Sequence, residues 1–219
     1  MNKLKAVLFD LDGTLIDNNE VHLKAWKKYL KDEGREISDD DYKANISGRT
    51  NHDAVEHIYD KKMSKEEAEK YYLRKEEIYR QMFEPEIKPI NGLEKFLREL
   101  ENNGIDMAIA TSGIQVNIDF MFRHIPIGQF FKKVINSDDI TKGKPDPEIF
   151  LNTAKALGVA PENCIVFEDS TAGVESGKAA GMKVVALTTT HTKKELHKAD
   201  LVIDDYTEVN YDKILSIMK

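Results

Sequence analysis

The chain has 219 residues, 41% hydrophobic and 32% charged, with a formal net charge of −7. That length allows one substantial core plus a small accessory module, and the acidic balance, with no Lys/Arg block to offset it, excludes nucleic acid as a main partner. No apolar run approaches the ~20 residues that span a bilayer, and MNKLKAVLFD meets an acidic residue too soon for a secretory signal. A cytoplasmic protein without a membrane partner is therefore expected. The single cysteine, Cys164, forbids an internal disulfide and fits a reducing compartment. Its place in the apolar run CIVF marks a small buried strand residue.

The first apolar run, Ala6–Phe9, reads as a strand. From Val21 to Phe83 the pattern is helical. Val21, Ala25, Trp26, Tyr29 and Leu30 form one apolar stripe, Val55, Ile58 and Tyr59 a second, and Tyr71, Tyr72, Ile78 and Met82 a third. Trp26 is expected to serve core packing. Lys61 to Glu77 mixes both signs of charge at helical spacing and reads as a solvated helix face. Pro85 and Pro89 close this module of about 70 residues.

Beyond it, strands Ile105–Ala110, Lys133–Ile135, Cys164–Phe167, Val184–Leu187 and Leu201–Ile203 are mostly separated by helices, over Gln115–Phe122, Pro147–Leu157 and Ala172–Ala180, with Leu93–Asn102 ahead of them. Asp146 suits an N-cap with Pro147 in the first turn, and Gly104, Gly158 and Gly181 stand where helices should stop. Apolar strands alternating with helices predict an α/β fold, a Rossmann-like, mostly parallel sheet covered on both faces. The expected division is a catalytic core of residues 1–15 and 88–219, with a helical domain over 16–87 inserted after the first strand.

Four segments carry chemistry. In FDLDGTLID, Asp10, Asp12, Gly13 and Thr14 follow the first strand, where ligands of open α/β sheets bind. Two aspartates this close repel and call for a cation, although an Asx-turn with Gly13 at its bend has the same composition. Glu168 and Asp169 repeat the pattern after the strand Cys164–Phe167, and hard oxygen ligands from two strand ends suit Mg²⁺. Ser170 and Thr171 there also suit a helix cap. Thr111, Ser112 and Gly113 offer a hydroxyl and free backbone N–H groups at a helix start, which can cradle a phosphate or merely cap the helix. Lys144, held in GKPDPEIF by Pro145 and Pro147, is placed to neutralise a phosphoryl oxygen.

FDLDGTL, ATSG, GKPDPEIF and VFEDSTAG occur in that order. With them the chain resembles the haloacid dehalogenase superfamily, in the branch of β-phosphoglucomutase and its related phosphatases. The resemblance covers essentially the whole chain, and the helical insert is similar to that branch's cap domain in position and length. It implies that Asp10 is nucleophile and metal ligand, and that Asp12 is general acid and base with its backbone carbonyl on the metal. Asp169 would complete the protein ligands of Mg²⁺, Glu168 would act mainly through water, and Thr111 and Lys144 would hold the phosphoryl group. Asp12 argues for phosphoryl transfer, since the superfamily's true dehalogenases lack this second aspartate.

The cap should supply substrate contacts. His22 matches a histidine that β-phosphoglucomutase carries near its acid/base, and in SGRTNHD Gly48, Arg49 and Thr50 stand in the substrate loop, Arg49 offering a fork for an anion. Here the chain departs from the mutase. A lysine and an arginine of the mutase's loop align with Ser47 and Asn51, and its Ser-Lys-Asn run aligns with Gly113, Ile114 and Gln115. Those missing groups hold the second phosphate of a bisphosphate intermediate. The expected function is therefore a Mg²⁺-dependent phosphatase of a small phosphorylated metabolite, a sugar phosphate in particular, working through an aspartyl-phosphate. A phosphosugar mutase, an inorganic pyrophosphatase and a non-catalytic phospho-acceptor are the alternatives. A monomer is expected.

Overall fold

A computed structural model describes residues 4–218; residues 1–3 and 219, which the expected core boundaries include, lie outside the described set. After strand β1 (Ala6–Phe9) come four helices, α1 (Asn19–Asp32), α2 (Asp39–Asn45), α3 (Asn51–Tyr59) and α4 (Lys65–Phe83). The chain then runs α5 (Leu93–Asn102), β2 (Asp106–Ala110), α6 (Gln115–His124), β3 (Lys133–Ile135), α7 (Glu148–Leu157), β4 (Cys164–Glu168), α8 (Thr171–Ala179), β5 (Lys183–Leu187), β6 (Leu201–Ile203) and α9 (Tyr211–Ser216). The six strands form one sheet in the order β3-β2-β1-β4-β5-β6, with every pair parallel. The chain builds outward from β1 to β3, then crosses back to β4 and builds the other way. β1 and β4 thus flank the switch point, where a crevice opens beyond the carboxyl ends of the strands.

Side chains alternate along each strand, and the two faces of this sheet differ in bulk. One face carries Val7, Phe9, Ile109, Ile165, Phe167 and Leu187; the other carries Ala6, Leu8, Ala108, Ala110, Cys164 and Ala186. The small face lets α7 and α8 lie close, with Ile149, Phe150 and Val174 filling the space. On the bulky face Phe9 stacks on Phe167 at 5.1 Å between ring centroids, and Phe96 of α5 meets Phe167 at 5.3 Å. Each such ring, fully buried, contributes roughly 1.5–3 kcal/mol. The Cys164 thiol lies in the small-face core, where burial pushes it up to about 12.

Three of the four insert helices, α2, α3 and α4, start on side-chain caps. Ser38, Thr50 and Ser64 accept from the N–H groups of Asp41, Asp53 and Glu67, each worth about 1 kcal/mol. α1 and α3 pack on α4, and Trp26, Leu30, Val55, Tyr79 and Phe83 join an apolar cluster continuous with the sheet's bulky face. Trp26 is buried, as its stripe predicts.

Three local expectations are corrected. Lys75 and Glu76 are 2% and 1% exposed and do not belong to a solvated face. The last turns of α4 run over α6 of the core, so helical periodicity turns Lys75 inward together with Tyr79 and Phe83. Met82 is 37% exposed because Phe83, one residue on, takes the inner position. Pro147 occupies the N-cap position of α7, and Asp146 acts one residue earlier by accepting from the Glu148 N–H at 3.0 Å.

Candidate active site

Three neighbouring strand ends supply the site. β2 delivers Thr111, Ser112 and Gly113, β1 delivers Asp10, and β4 delivers Glu168 and Asp169. The Asp10 N–H donates to the Phe167 carbonyl at 2.9 Å, so strand pairing continues up to the carboxylate and fixes it. Lys144, from the loop ahead of α7, donates to Oδ1 of Asp10 and Oε1 of Glu168, both at 2.6 Å, with all three groups buried. The other oxygen of Glu168 accepts from the N–H groups of Asp169 and Ser170 and from the Ser170 hydroxyl at 2.8, 2.8 and 2.9 Å. Ser170 also caps α8. Oδ2 of Asp169 accepts from Asn19 at 2.9 Å. Gly13 makes this approach possible: its φ is +71°, and a Cβ there would lie 2.1 Å from Asp169 Oδ2.

Oxygens of Asp10, Glu168 and Asp169 lie within 4.8 Å of one another. Three buried carboxylates share one lysine, and the electrostatics follow. Burial pushes Asp10 up to about 8 although Lys144 opposes it, and burial with the neighbouring Glu168 and Asp10 raises Asp169 well above the carboxylate range. Burial works against the charge of Lys144, but Asp10 and Glu168 outweigh it and hold the ammonium protonated. A buried excess of hard, anionic oxygens is the donor set that a Mg²⁺-type ion fits.

Asp12 is turned away from that group. Its Oδ1 accepts from Asn18 at 2.5 Å and lies 3.4 Å from Nε2 of His22. Lys75 Nζ donates to Nδ1 of His22 at 2.8 Å, which leaves Nε2 to carry the hydrogen facing Asp12. His22 is held flat on Tyr79, with ring centroids 3.7 Å apart. Burial would raise the Asp12 carboxyl, but the hydrogen bonds from His22 and Asn18 hold it below its usual value. The network continues through Lys75 to Glu76 at 2.8 Å, from Asn117 Nδ2 to Glu76 at 2.7 Å, and from Arg80 to Asn117 Oδ1 at 2.9 Å.

The cavity above Asp10 is bordered by Asp12, His22, Gly48, Arg49, Thr111, Ser112, Gly113 and Asp169. Lys144 and Glu168 support Asp10 without bordering it. Thr50 is not brought in; its hydroxyl donates to Asp53 at 2.7 Å and caps α3, and its side chain borders a neighbouring cavity. Thr111 Oγ1 accepts from the Gly113 N–H at 2.9 Å, shaping the loop after β2. The Ser112 hydroxyl donates to the Gly48 carbonyl at 3.0 Å, joining that loop to the insert. Gly48 has φ +77°, and a Cβ on it would lie 2.3 Å from Ser170 Oγ. The insert is therefore seated directly on the core, and the space left above Asp10 is about 60 Å³.

Asn18, Lys75, Glu76 and Asn117 are the site residues that sequence reading misses. Asn18 stands just after FDLDGTLID, and its side chain accepts from the Gly13 N–H. Lys75 and Glu76 look like any surface pair of a helix. A second acid-rich group, His52, Asp53 and Glu56, is half-buried, and each member already has a partner in Met63, Thr50 or Lys62. Among the described residues no helix is long and apolar enough to cross a membrane.

Comparison with known proteins agrees with this arrangement. The sequence profile of the haloacid dehalogenase-like hydrolases matches residues 7–187, and the chain belongs to that family. It is 31% identical to validoxylamine A 7′-phosphate phosphatase of Streptomyces hygroscopicus subsp. limoneus, over 96% of this chain and 98% of that protein. Among solved structures, a family IA, variant 3 hydrolase from Entamoeba histolytica HM-1:IMSS superposes with a TM-score of 0.88 and 34% identity, covering 98% of this chain and 99% of the other. A β-phosphoglucomutase from Clostridium difficile superposes at 0.86 with 27% identity, covering 98% and 97%. The chain is an enzyme of the phosphatase type, a haloacid dehalogenase-like hydrolase.

Proposed function

We propose that the chain is a Mg²⁺-dependent phosphatase that acts on a small phosphorylated metabolite, a sugar phosphate in particular, through a phosphorylated Asp10. The observation that carries this reading is the buried trio Asp10, Glu168 and Asp169 with Lys144 bridging two of its members. Asp10 and Asp169 would hold the ion, while Glu168, saturated by Lys144 and by its own loop, holds the lysine and orients the group. The ion would supply positive charge to the phosphoryl oxygens and to the Asp10 carboxylate.

The residues then divide the work. An oxygen of Asp10 attacks phosphorus and the bond to the leaving oxygen breaks, with a proton passing from Asp12 to that oxygen. Asp12 next takes a proton from a water that attacks the phosphorylated aspartate, which releases phosphate and restores Asp10. Lys144 and the loop Thr111–Gly113 offset charge on the equatorial oxygens. In the unliganded site Asp12 is held ionised, so the form that donates a proton must arise as the substrate's dianionic phosphate comes in beside it. Residues 16–87 serve as a cap, and a space of only about 60 Å³ above Asp10 favours a cap that lifts for substrate to enter.

Water rather than a sugar hydroxyl is the expected second acceptor. Ser47 and Asn51 stand where the mutase resemblance leads one to expect cations, and both border the cavity. Phosphate release from a panel of phosphoesters, with and without Mg²⁺, tests the reading: release must depend on both the ion and Asp10.

A further inference from the structure

Resting on the phosphatase reading, we propose that Glu76 is a specificity-determining residue that admits the uncharged, hydroxyl-bearing end of a monophosphate to the cavity and keeps a second phosphate out. Glu76 borders the same cavity as Asp10 and is 1% exposed. Neither of its oxygens is free to swing away: one takes the Lys75 ammonium at 2.8 Å, the other the Asn117 amide at 2.7 Å. Burial would favour its neutral form, but Lys75, His22 and those hydrogen bonds bring it down to about 2, so the charge persists at any working pH.

The cations nearby are committed. Lys75 lies between Glu76, Nδ1 of His22 and the Trp26 ring at 5.0 Å, so its charge is already balanced where a ligand would meet it. Lys144 is held by Asp10 and Glu168 beneath the cavity. Arg49 is the cation on the lining whose side chain has no partner among the described residues. Glu76 thus neutralises the one other cation that this wall could turn toward a ligand, so a second phosphate meets a net-neutral Lys75–Glu76 pair with only the half-buried Arg49 to hold it, and loses the attraction that a free Lys75 would supply in this poorly screened environment.

The remaining free groups on this wall suit hydroxyls. Ser47 Oγ is buried and has no hydrogen-bond partner, and the Asn51 side chain beside it has none among the described residues. A buried hydroxyl without a partner is rare in a folded protein and is satisfied when a ligand supplies one. Ser47, Asn51 and the Arg49 fork together offer donors and acceptors to a polyol or sugar.

The experiment measures kcat/KM for phosphate release from glucose 6-phosphate and glucose 1,6-bisphosphate, and from fructose 6-phosphate and fructose 1,6-bisphosphate. Wild type and Glu76→Gln are compared in saturating Mg²⁺. The wild type should favour the monophosphate at least tenfold in each pair that is turned over. Glu76→Gln should shrink that preference tenfold or more, mainly through the KM of the bisphosphate. A wild type that prefers the bisphosphate, or a preference unchanged in the variant, overturns the proposal. Should Glu76→Gln not fold, the wild type decides alone: a bisphosphate that inhibits with a Ki below the monophosphate KM overturns it. Should no phosphoester release phosphate, the phosphatase reading has failed instead, and calorimetric Kd values for the same pairs still decide whether Glu76 selects.

Discussion

Nζ of Lys75 lies 2.8 Å from Nδ1 of His22, and this contact makes the histidine present an N–H to Asp12. The surroundings of Asp12, the proposed acid/base residue, are thereby set by a side chain from the fourth helix of the insert. His22→Ala removes a hydrogen bond that lowers the Asp12 pKa. The pKa must rise, so the acid form survives to higher pH, and the descending limb of the kcat/KM–pH profile should move upward in the variant. A limb that stays in place while the rate falls would mean that His22 only packs.

Asp10→Asn should abolish turnover while leaving the fold intact, because an amide is a poor nucleophile and ligand. It should also stabilise the metal-free protein. The folded-state pKa of Asp10 is raised to about 8 by burial, above an unfolded value of about 4. The native state therefore holds the proton more tightly, and stability is lost as pH rises from about 4 through about 8. In EDTA, denaturant melts should show Asp10→Asn gaining on the order of 1–3 kcal/mol at pH 8 and little at pH 4.

Mg²⁺ should act in the same direction as Asp10→Asn. By relieving the same repulsion it should raise Tm more at pH 8 than at pH 5, by an amount equivalent to ~2.7 kcal/mol at a hundredfold excess over Kd. Asp169→Asn should lose most of this shift, and EDTA should stop catalysis until Mg²⁺ is restored. An equal Tm shift in Asp169→Asn would remove that residue from the ligand set.

The second acceptor distinguishes the two branch activities. The enzyme should release inorganic phosphate from monophosphates and convert β-glucose 1-phosphate to glucose 6-phosphate slowly or not at all. Efficient isomerisation stimulated by glucose 1,6-bisphosphate, with little phosphate released, would show that other cap residues hold the second phosphate.

Seating of the cap should depend on Gly48. Alanine there is strained at φ +77° and directs its methyl group at Ser170 Oγ, at 2.3 Å in the unrelaxed geometry. Gly48→Ala should lower kcat/KM at least tenfold with a change in Tm of only a few degrees. Wild-type kinetics in this variant would show that the closed contact is dispensable.

The core was readable because its signals are local. Ala6–Phe9, Lys133–Ile135 and Leu201–Ile203 are strands with the expected bounds, and the others shift by a residue, since each is an apolar run ended by turn-formers. Asp10, Thr111, Glu168 and Asp169 could be placed at one end of the sheet because each directly follows such a run. Lys75 and Glu76 could not, because their burial arises only when α4 closes over α6. Thr50 misleads for the same kind of reason: one hydroxyl can serve a ligand or a helix N-terminus, and here Asp53 takes it.

The unequal faces of the sheet make the protein vulnerable to opposite kinds of error. At Ala6, Ala108, Ala110 and Ala186, on the face they share with Leu8, the side chains are already small. Truncation has little left to remove there, whereas one added branch must push α7 or α8 outward, at a typical cost of about 1–3 kcal/mol. On the face of Phe9, Ile109 and Phe167, enlargement finds little room, but the graver injury is loss of volume, at about 3–5 kcal/mol for a phenylalanine cut to alanine. The loop that holds Lys144 leads straight into α7. An overfilled small face would therefore register first as a displaced lysine and slower turnover, before the protein became measurably easier to unfold.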